Sequence, residues 1–140
     1  MKVRNYSDRD FQQAEELIRQ SGMYNKLLDA PEFFRNNLKK KSEMDPDSII
    51  VAEEHGKIIG IVIFVYDPLR CILLTIAVDK EHRNKGVGDI LWQVTEQRIR
   101  ARGAEEIIGL VPEQKSELLD LYRKYGGFAI DNVHYLLKKF

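Results

Sequence analysis

The sequence predicts an α/β (α+β) fold, in which one mixed, mostly antiparallel twisted sheet of about seven strands carries helices on both faces. Three observations lead to this class. The 140 residues are 44% apolar, which suits one domain with a core of its own. Short β-branched runs alternate with stretches of helical periodicity. The run from Cys71 to Val78 is apolar at nearly every position, as in a strand covered on both faces. We therefore expect residues 1–140 to form a single domain.

The first third of the chain predicts a short strand at Val3 to Tyr6 and two helices. Ser7 or Asp8 can cap the first helix, in which these residues have helical spacing: Phe11, Ala14, Glu15, Leu17 and Ile18. Pro31 lies near the first turn of the second helix, where a missing N–H costs nothing. The run Lys39 to Lys41 suits a solvated helix end, because lysines complement the dipole there.

After the loop signal Asp45-Pro46-Asp47 the periodicity becomes that of strands. Residues 48–52 and 58–66 predict a hairpin around the turn Glu54-His55-Gly56-Lys57. Cys71 to Val78 adds another strand. A helix from Gly86 to Arg102 follows, with these side chains expected to face inward: Ile90, Leu91, Val94 and Ile99.

The last third predicts a strand at 105–111, a helix at 116–125 and a hairpin of 128–130 and 133–137 around Asp131-Asn132. The element order is therefore β-α-α-β-β-β-α-β-α-β-β. Because a helix links the two strands within Cys71 to Val111, we expect them to be parallel, with a right-handed crossover.

Composition excludes several classes of protein. With 22 basic and 22 acidic residues, the chain lacks the excess charge that binds nucleic acid or an anionic membrane. Its longest nearly continuous apolar stretch, Ile58 to Tyr66, is far shorter than the about 20 residues of a membrane span. One cysteine and three isolated histidines give no metal-ligand spacing, so we expect no metal. The polar N-terminus resembles no signal peptide, and we expect a cytoplasmic protein.

The stretch after Val78 carries the chemistry. A buried strand ends there, a charged loop follows, and a helix begins at Gly86 and Gly88. A helix start leaves amide groups unpaired and carries a partial positive charge, to which Arg83 and Lys85 add whole charges. This pattern indicates a phosphate or pyrophosphate site. A glycine turn that only starts a helix fits these residues equally well, and the spacings of the P-loop and of G-x-G-x-x-G are absent.

Two motifs resemble those of the GCN5-related N-acetyltransferase (GNAT) family. Arg83-Asn84-Lys85-Gly86-Val87-Gly88 matches the signature [Q/R]-x-x-G-x-[G/A] that follows the family's fourth strand. Leu121-Tyr122-Arg123-Lys124-Tyr125-Gly126-Gly127-Phe128 is similar to the C-terminal pattern Tyr-x-x-x-Gly-Phe, with one extra glycine. The element order is also the family's, so the resemblance covers essentially the whole chain and implies a single GNAT domain.

The resemblance implies an acetyl-CoA-dependent N-acetyltransferase that transfers the acetyl group directly to a primary amine of a small molecule, peptide or protein. Backbone amides from Arg83 to Gly88, with Asp89 at the helix start, would hold the pyrophosphate. The main chain of Ile76, Ala77 and Val78 would pair with the pantetheine arm, and the Val78 amide would polarise the thioester carbonyl.

Tyr122 would protonate the departing thiolate, because a phenol stays protonated at neutral pH. Tyr125 occupies an apolar position of the family pattern, and we expect it to pack. The asparagine that often precedes the tyrosine is replaced by Lys115, which could instead meet a phosphate.

Besides Lys115, a second position departs from the family pattern, and it concerns the general base. The glutamate of the histone-acetylating branch corresponds to Ile72. A water relay, Glu53, Glu54 or His134 remain open as bases. We expect Cys71 to be inert core and the other two histidines, His55 and His82, to be solvated.

The acceptor remains unidentified. Its groove should be lined by the loop around Met23-Tyr24, by the start of the strand Cys71–Val78 and by the last hairpin. Two alternatives to an active enzyme stay open: a non-catalytic acyl-CoA-binding or regulatory module, suggested by Ile72, and an interaction protein that uses only the fold. The chain could act as a monomer or as a homodimer.

Overall fold

The computed structural model describes residues 1–21, 30–111 and 116–134, together with residues 136, 138 and 140. Their helices and strands follow one another in this order: β1 (Lys2–Asn5), α1 (Phe11–Ser21), α2 (Pro31–Met44), β2 (Ile49–Glu54), β3 (Lys57–Asp67), β4 (Arg70–Val78), α3 (Val87–Ala101), β5 (Ile108–Gly109) and α4 (Ser116–Lys124). The order agrees with the predicted one as far as α4. Pro31 begins α2, as expected.

One sheet with the strand order β1-β2-β3-β4-β5 contains all the strands of the described residues. The first four are antiparallel, and β5 is parallel to β4. The α/β class and the parallel pair are therefore confirmed, but the described residues hold five strands rather than about seven. The strand expected at 105–111 is only Ile108–Gly109. Residues 128–130 form no strand, and the second strand of that hairpin lies partly outside the described residues.

Helices pack on both faces of this sheet. Against one face, α1 and α2 enclose a cluster of buried residues that includes Phe11, Phe34 and Ile61. Against the other face, α3 contacts β2, β3 and β4. A Cβ at Gly60 would lie 2.7 Å from Leu91 Cδ1, so β3 and α3 approach closely only because this residue is glycine.

Two side chains differ from the predicted pattern. Ile90 is exposed, because the buried stripe of α3 runs through Val87, Leu91, Thr95 and Ile99 and leaves Ile90 at its border. Lys41 is half-buried rather than solvated, unlike its neighbours Lys39 and Lys40.

A β-bulge interrupts β4. Ile63 of β3 is opposite Thr75, but the next residue, Phe64, is opposite Leu73, so Leu74 is an extra residue in β4. Leu74 packs against the core cluster beneath α1 and α2. Thr75 lies on that same face, because it is paired with Ile63, a member of the cluster. The bulge therefore places two consecutive side chains on one face.

The chain divides into two compact units, Met1–Leu110 and Val111–Phe140. The first unit contains the sheet with α1, α2 and α3, and the second contains α4. That residues 1–140 act as one domain remains a prediction. Among the described residues, no helix is both long enough and apolar enough to cross a membrane.

Candidate active site

The edge of β4 that faces β5 is largely open. Parallel pairing joins Ile72 to Ile108 and Leu73 to Gly109, and it stops there. Over residues 74–78, β4 has no strand partner on this side among the described residues. An unpaired edge of this kind presents main-chain donors and acceptors to another extended chain.

Hydrogen bonds show which residues face this edge. The N–H of Asp79 donates to a carbonyl of β3 at 2.9 Å. Because successive residues of a strand direct their main-chain groups to alternate sides, Ala77 also faces β3, whereas Ile76 and Val78 face the open edge. In agreement, Arg83 Nε donates to the Val78 carbonyl at 3.1 Å. Ile76 and Val78 thus offer main-chain groups to an extended ligand, and Ala77 sets the spacing between them.

The loop after β4 forms a tight turn into α3. Asn84 and Gly86 have left-handed φ angles of 59° and 82°, which asparagine tolerates and glycine adopts at no steric cost. The first helical hydrogen bond runs from the Ile90 N–H to the Gly86 carbonyl at 3.1 Å. A helix start leaves its first amides without carbonyl partners inside the helix, and the dipole makes this end positive.

Space for a ligand lies beside this helix start. A Cβ at Gly88 would meet only Val78 Cγ2, at 3.9 Å, among the described residues outside its own helix and chain neighbours. Three predicted residues of the turn, Arg83, Asn84 and Lys85, are exposed. The structure therefore brings the end of β4 together with the predicted segment Arg83–Asp89. Open backbone and two cationic side chains at a helix start suit a pyrophosphate.

A buried carboxylate fixes the loop to the sheet. Asp79 Oδ2 lies 2.6 Å from His82 Nδ1 and accepts a hydrogen bond from Lys57 Nζ at 3.3 Å. The hydrogen bond with His82 and, next, that from Lys57 hold the pKa of Asp79 below its ordinary value despite its burial. On the other side of the ring, His82 Nε2 lies 3.6 Å from Glu54 Oε2.

The expectation that His82 is solvated is therefore wrong. Its side chain is only 19% exposed, because it bridges Asp79 and Glu54. Sequence reasoning also missed Asp79. The available signal was a carboxylate directly after an apolar strand and three residues before a histidine. This spacing lets both side chains meet across one short helical turn at Lys80–His82.

Tyr122 lies on α4 in the second unit. Two glycines follow the end of this helix, and one of them contacts the Tyr122 carbonyl. Gly126 has a φ of 86°, and the Gly127 N–H donates to the Tyr122 carbonyl at 2.8 Å. A Cβ at Gly127 would lie 2.9 Å from that carbonyl oxygen. The extra glycine, which departs from the family pattern, is thus required by the close approach to Tyr122. Tyr125 has the Lys124 ammonium 5.8 Å from its ring centroid.

The residues considered as general bases have different surroundings. Glu53 accepts a hydrogen bond from Arg4 Nε at 2.7 Å and is held in this ion pair. Glu54 lies beside His82, as described above. His134 is exposed in the second unit. Ile72 pairs with Val65 in β3, and its apolar side chain cannot act as a base.

Two predicted sites fall outside the described residues. They are Lys115, expected to meet a phosphate, and Met23-Tyr24, expected to line the acceptor groove. Within the described residues, no group of three or more His, Cys, Asp or Glu side chains is placed to hold a metal ion. Cys71 is buried with a free thiol, and burial raises the pKa of that thiol.

Comparison with known families gives one match across most of the chain. The family model described as "Acetyltransferase (GNAT) family" matches residues 11–128. An acetyltransferase of Photorhabdus laumondii is 28% identical over 124 residues, which are 89% of this chain and 84% of that protein. A second acetyltransferase, from Pectobacterium atrosepticum, is 30% identical over 95 residues, which are 68% of this chain and 67% of its own.

Solved structures share the fold. One is the PaiA N-acetyltransferase from Thermoplasma acidophilum in complex with coenzyme A, with a TM-score of 0.77 at 20% identity. The match covers 95% of this chain and 92% of that one. The diaminobutyrate acetyltransferase EctA from Paenibacillus lautus, in complex with L-2,4-diaminobutyric acid and coenzyme A, gives a TM-score of 0.75 at 21% identity, with 89% and 73% covered.

Proposed function

The chain belongs to the GNAT family of acetyltransferases, and we propose that it transfers the acetyl group of acetyl-CoA directly to a primary amine in a ternary complex. The observation that carries this proposal is the open edge of β4 leading into the glycine turn of α3. An extended arm that ends in a pyrophosphate needs these two features next to each other. Acetyl-CoA has this shape, and when bound it supplies an acetyl group activated as a thioester.

The pyrophosphate would lie at the start of α3. The amides of Arg83 to Gly88 would donate to its oxygens, with Asp89 in the first turn, and Lys85 would add a cationic contact. Arg83 already donates Nε to the Val78 carbonyl, so its guanidinium is held beside the same turn with other N–H groups left to donate. Lys115 would be a further phosphate contact.

The pantetheine arm would lie along the open edge of β4. The Val78 N–H would donate to an amide carbonyl of the arm, since the Val78 carbonyl already accepts from Arg83, and Ala77 would space Val78 from Ile76. The Ile76 N–H lies on the same edge and further from the pyrophosphate. It would therefore, rather than the Val78 N–H expected from the sequence, donate to the thioester carbonyl and stabilise negative charge that develops on its oxygen. Because the strand is held by β3 on its other side, these donors are fixed before a ligand arrives.

Proton transfers would complete the reaction. A primary amine is an ammonium at neutral pH and loses one proton to become the nucleophile. Its nitrogen then forms the new C–N bond as the C–S bond breaks, and it loses a second proton. Tyr122 would give its phenolic proton to the departing thiolate. Glu53 is a poor candidate for the base, since its carboxylate is engaged by Arg4 Nε. A water relay, Glu54 or His134 remain the candidates.

The alternative, a non-catalytic acyl-CoA-binding or regulatory module, is favoured by the apolar Ile72 at the position of the glutamate of the histone-acetylating branch. An interaction protein that uses only the fold would bind no coenzyme A. From its charge balance we further propose that the protein has no nucleic-acid partner. A cytoplasmic location and a monomeric or homodimeric state remain proposals.

Two measurements separate these functions. Thermal shift with acetyl-CoA tests binding, and thiol release tests turnover over amines, amino acids and peptide N-termini. We expect stabilisation by acetyl-CoA and amine-dependent thiol release. Stabilisation without release on any amine would favour the non-catalytic module, and the absence of stabilisation would favour the interaction protein.

A further inference from the structure

A small apolar groove lies beside the bulge of β4, on the face covered by α1 and α2. Its volume is about 180 Å³, below the 300–1,000 Å³ of a typical ligand pocket, so it has room for one compact group. Its lining is almost entirely apolar and comes from the two helices and the sheet, including Ile18, Phe33, Leu38 and Leu74. The bulge forms one wall, because it turns both Leu74 and Thr75 to this face.

Thr75 is the most deeply buried polar residue of the groove. The residue is 2% exposed, and its hydroxyl has no hydrogen-bond partner among the described residues. A buried hydroxyl without a partner is costly, and a valine of the same shape would avoid the cost. Rotation about χ1 exchanges the positions of the hydroxyl and the methyl group. A polar group of a ligand in the groove can therefore gain the partner that this hydroxyl lacks.

Within the described part of the chain, the lining of the groove carries one positively charged side chain and no negatively charged one. Among the described residues that line it, Lys41 is the one titratable group, and Asn37 is the other polar residue near it on α2. Burial lowers the pKa of Lys41, which shows that its ammonium is partly removed from water. Asp45 also interacts electrostatically with Lys41, but it does not line the groove and its carboxylate is held by Arg102. An acceptor with a second cationic group would therefore be repelled by Lys41. An acceptor with a carboxylate would be attracted.

The groove would lie at the reacting end of the pantetheine arm. If the pyrophosphate is at the start of α3, the arm runs back along β4 from Val78 towards Ile76. Thr75 is the next residue, and a strand advances only about 3.3 Å per residue. The thioester end and the groove would therefore be neighbours at the bulge.

We propose that this groove binds the acceptor and that the acceptor is a free α-amino acid with a compact apolar side chain. The side chain fills the groove, the Thr75 hydroxyl accepts a hydrogen bond from the amine, and Lys41 attracts the carboxylate. This inference rests on the proposed N-acetyltransferase function and names the substrate class of that site.

Thiol release at saturating acetyl-CoA tests the substrate class. The panel contains L-leucine, L-methionine and L-phenylalanine, the amide of each, glycine, L-lysine, spermidine and a peptide with an N-terminal leucine. We expect kcat/KM for the best apolar amino acid to exceed that for glycine and spermidine by about tenfold or more, as burial of one apolar side chain allows. Its amide should be about tenfold poorer, through loss of a charged contact.

Three variants test the residues. Thr75→Val should lower kcat/KM for the best amino acid about tenfold. The KM for acetyl-CoA should not change, and the melting temperature should not fall. Thr75→Ser, which keeps the hydroxyl, should retain activity. Lys41→Met should remove the preference for the acid over the amide. Lys40→Met, on the exposed side of the same helix end, is the matched control and should retain that preference.

Each result decides the inference. Preference for spermidine or for the peptide over every amino acid overturns it and leaves the proposed function intact. Unchanged kinetics in both Thr75→Val and Lys41→Met overturn it as well. Failure of every amine to release thiol overturns both this inference and the proposed function.

Discussion

The two ends of β4 are built in opposite ways. At the end that leads into α3, the polar side chains hold one another: Asp79 binds His82 and Lys57, and Arg83 binds the Val78 carbonyl. At the bulge, the surroundings are apolar and the hydroxyl of Thr75 has no partner within the described residues.

This difference matches what each end would bind. A pyrophosphate is the same in every turnover, so the groups that hold it can be fixed in advance by hydrogen bonds to the buried Asp79. An acceptor is selected by shape and by the few polar groups that it satisfies. An apolar groove discriminates among acceptors by the side chain that it can bury, and only an acceptor that fits there brings its amine to the Thr75 hydroxyl.

Gly88→Glu should have the largest effect, which we expect on acetyl-CoA binding, because Gly88 lies at the start of α3, beside the end of β4. A carboxylate at the helix start would repel the pyrophosphate and fill the space beside Val78. Like charges placed together at an interface cost several kcal/mol, so we expect acetyl-CoA to bind about 100-fold more weakly or worse. Isothermal titration calorimetry measures this loss.

Gly88→Ala is its control. The added Cβ would lie 3.9 Å from Val78 Cγ2, an ordinary contact, and alanine favours helix. The variant should fold and bind acetyl-CoA much better than Gly88→Glu. Equal binding by the glutamate variant and the parent would show that the phosphates lie elsewhere.

Tyr122→Phe should have the next largest effect, on the chemistry rather than on either end of β4. Loss of a general acid lowers kcat about 100-fold, while the KM for acetyl-CoA should change little. Steady-state kinetics at pH 7 measure both constants. Tyr125→Phe, three residues along the chain, should stay active. A fully active Tyr122→Phe enzyme would remove this residue from the mechanism.

Asp79→Asn should have a smaller effect, mainly on stability. The side chain is 8% exposed, and loss of its charged hydrogen bonds should cost about 1 to 3 kcal/mol of the free energy of unfolding. A looser turn should also raise the KM for acetyl-CoA while leaving acceptor preference unchanged. Urea unfolding and the two KM values test these effects.

The stability difference should depend on pH. Because the folded-state pKa of Asp79 lies below its unfolded value of about 3.9, its contribution is complete above that value. It is lost as the pH falls through the folded-state pKa. The gap between parent and Asp79→Asn should therefore be constant near neutrality and close in acid. A gap that widens in acid would contradict this role.

Sequence patterns predicted the elements whose signals are local. The hairpin around His55-Gly56 has two consecutive left-handed residues, as its turn pattern suggests, and the glycines after Val78 begin α3 as expected. The parallel pairing of β4 and β5 followed from the crossover rule. The glycine signature identified the candidate phosphate site, because the proposed contacts come from main-chain amides and glycines mark where a ligand can approach them.

Features set by tertiary contacts were not predictable in this way. His82 reads as a loop residue until the fold places Glu54 beside it, and Lys41 reads as a solvated lysine until the sheet packs against α2. The length of β5 depends on where it leaves β4, which no residue between 105 and 111 marks. The bulge was missed because Leu73, Leu74 and Thr75 fit an unbroken strand equally well.

That bulge also makes the length of the chain a determinant of what the protein accepts. The neighbours of Leu74, which are Leu73 and Thr75, pair with consecutive residues of β3, so deletion of Leu74 would leave an unbroken ladder in which side chains alternate regularly. Thr75 and Ala77 would keep their face of the sheet, but the groove would lose the apolar wall that Leu74 supplies. A chain one residue shorter at this point is consequently expected to keep the fold and to lose the preference for an apolar acceptor.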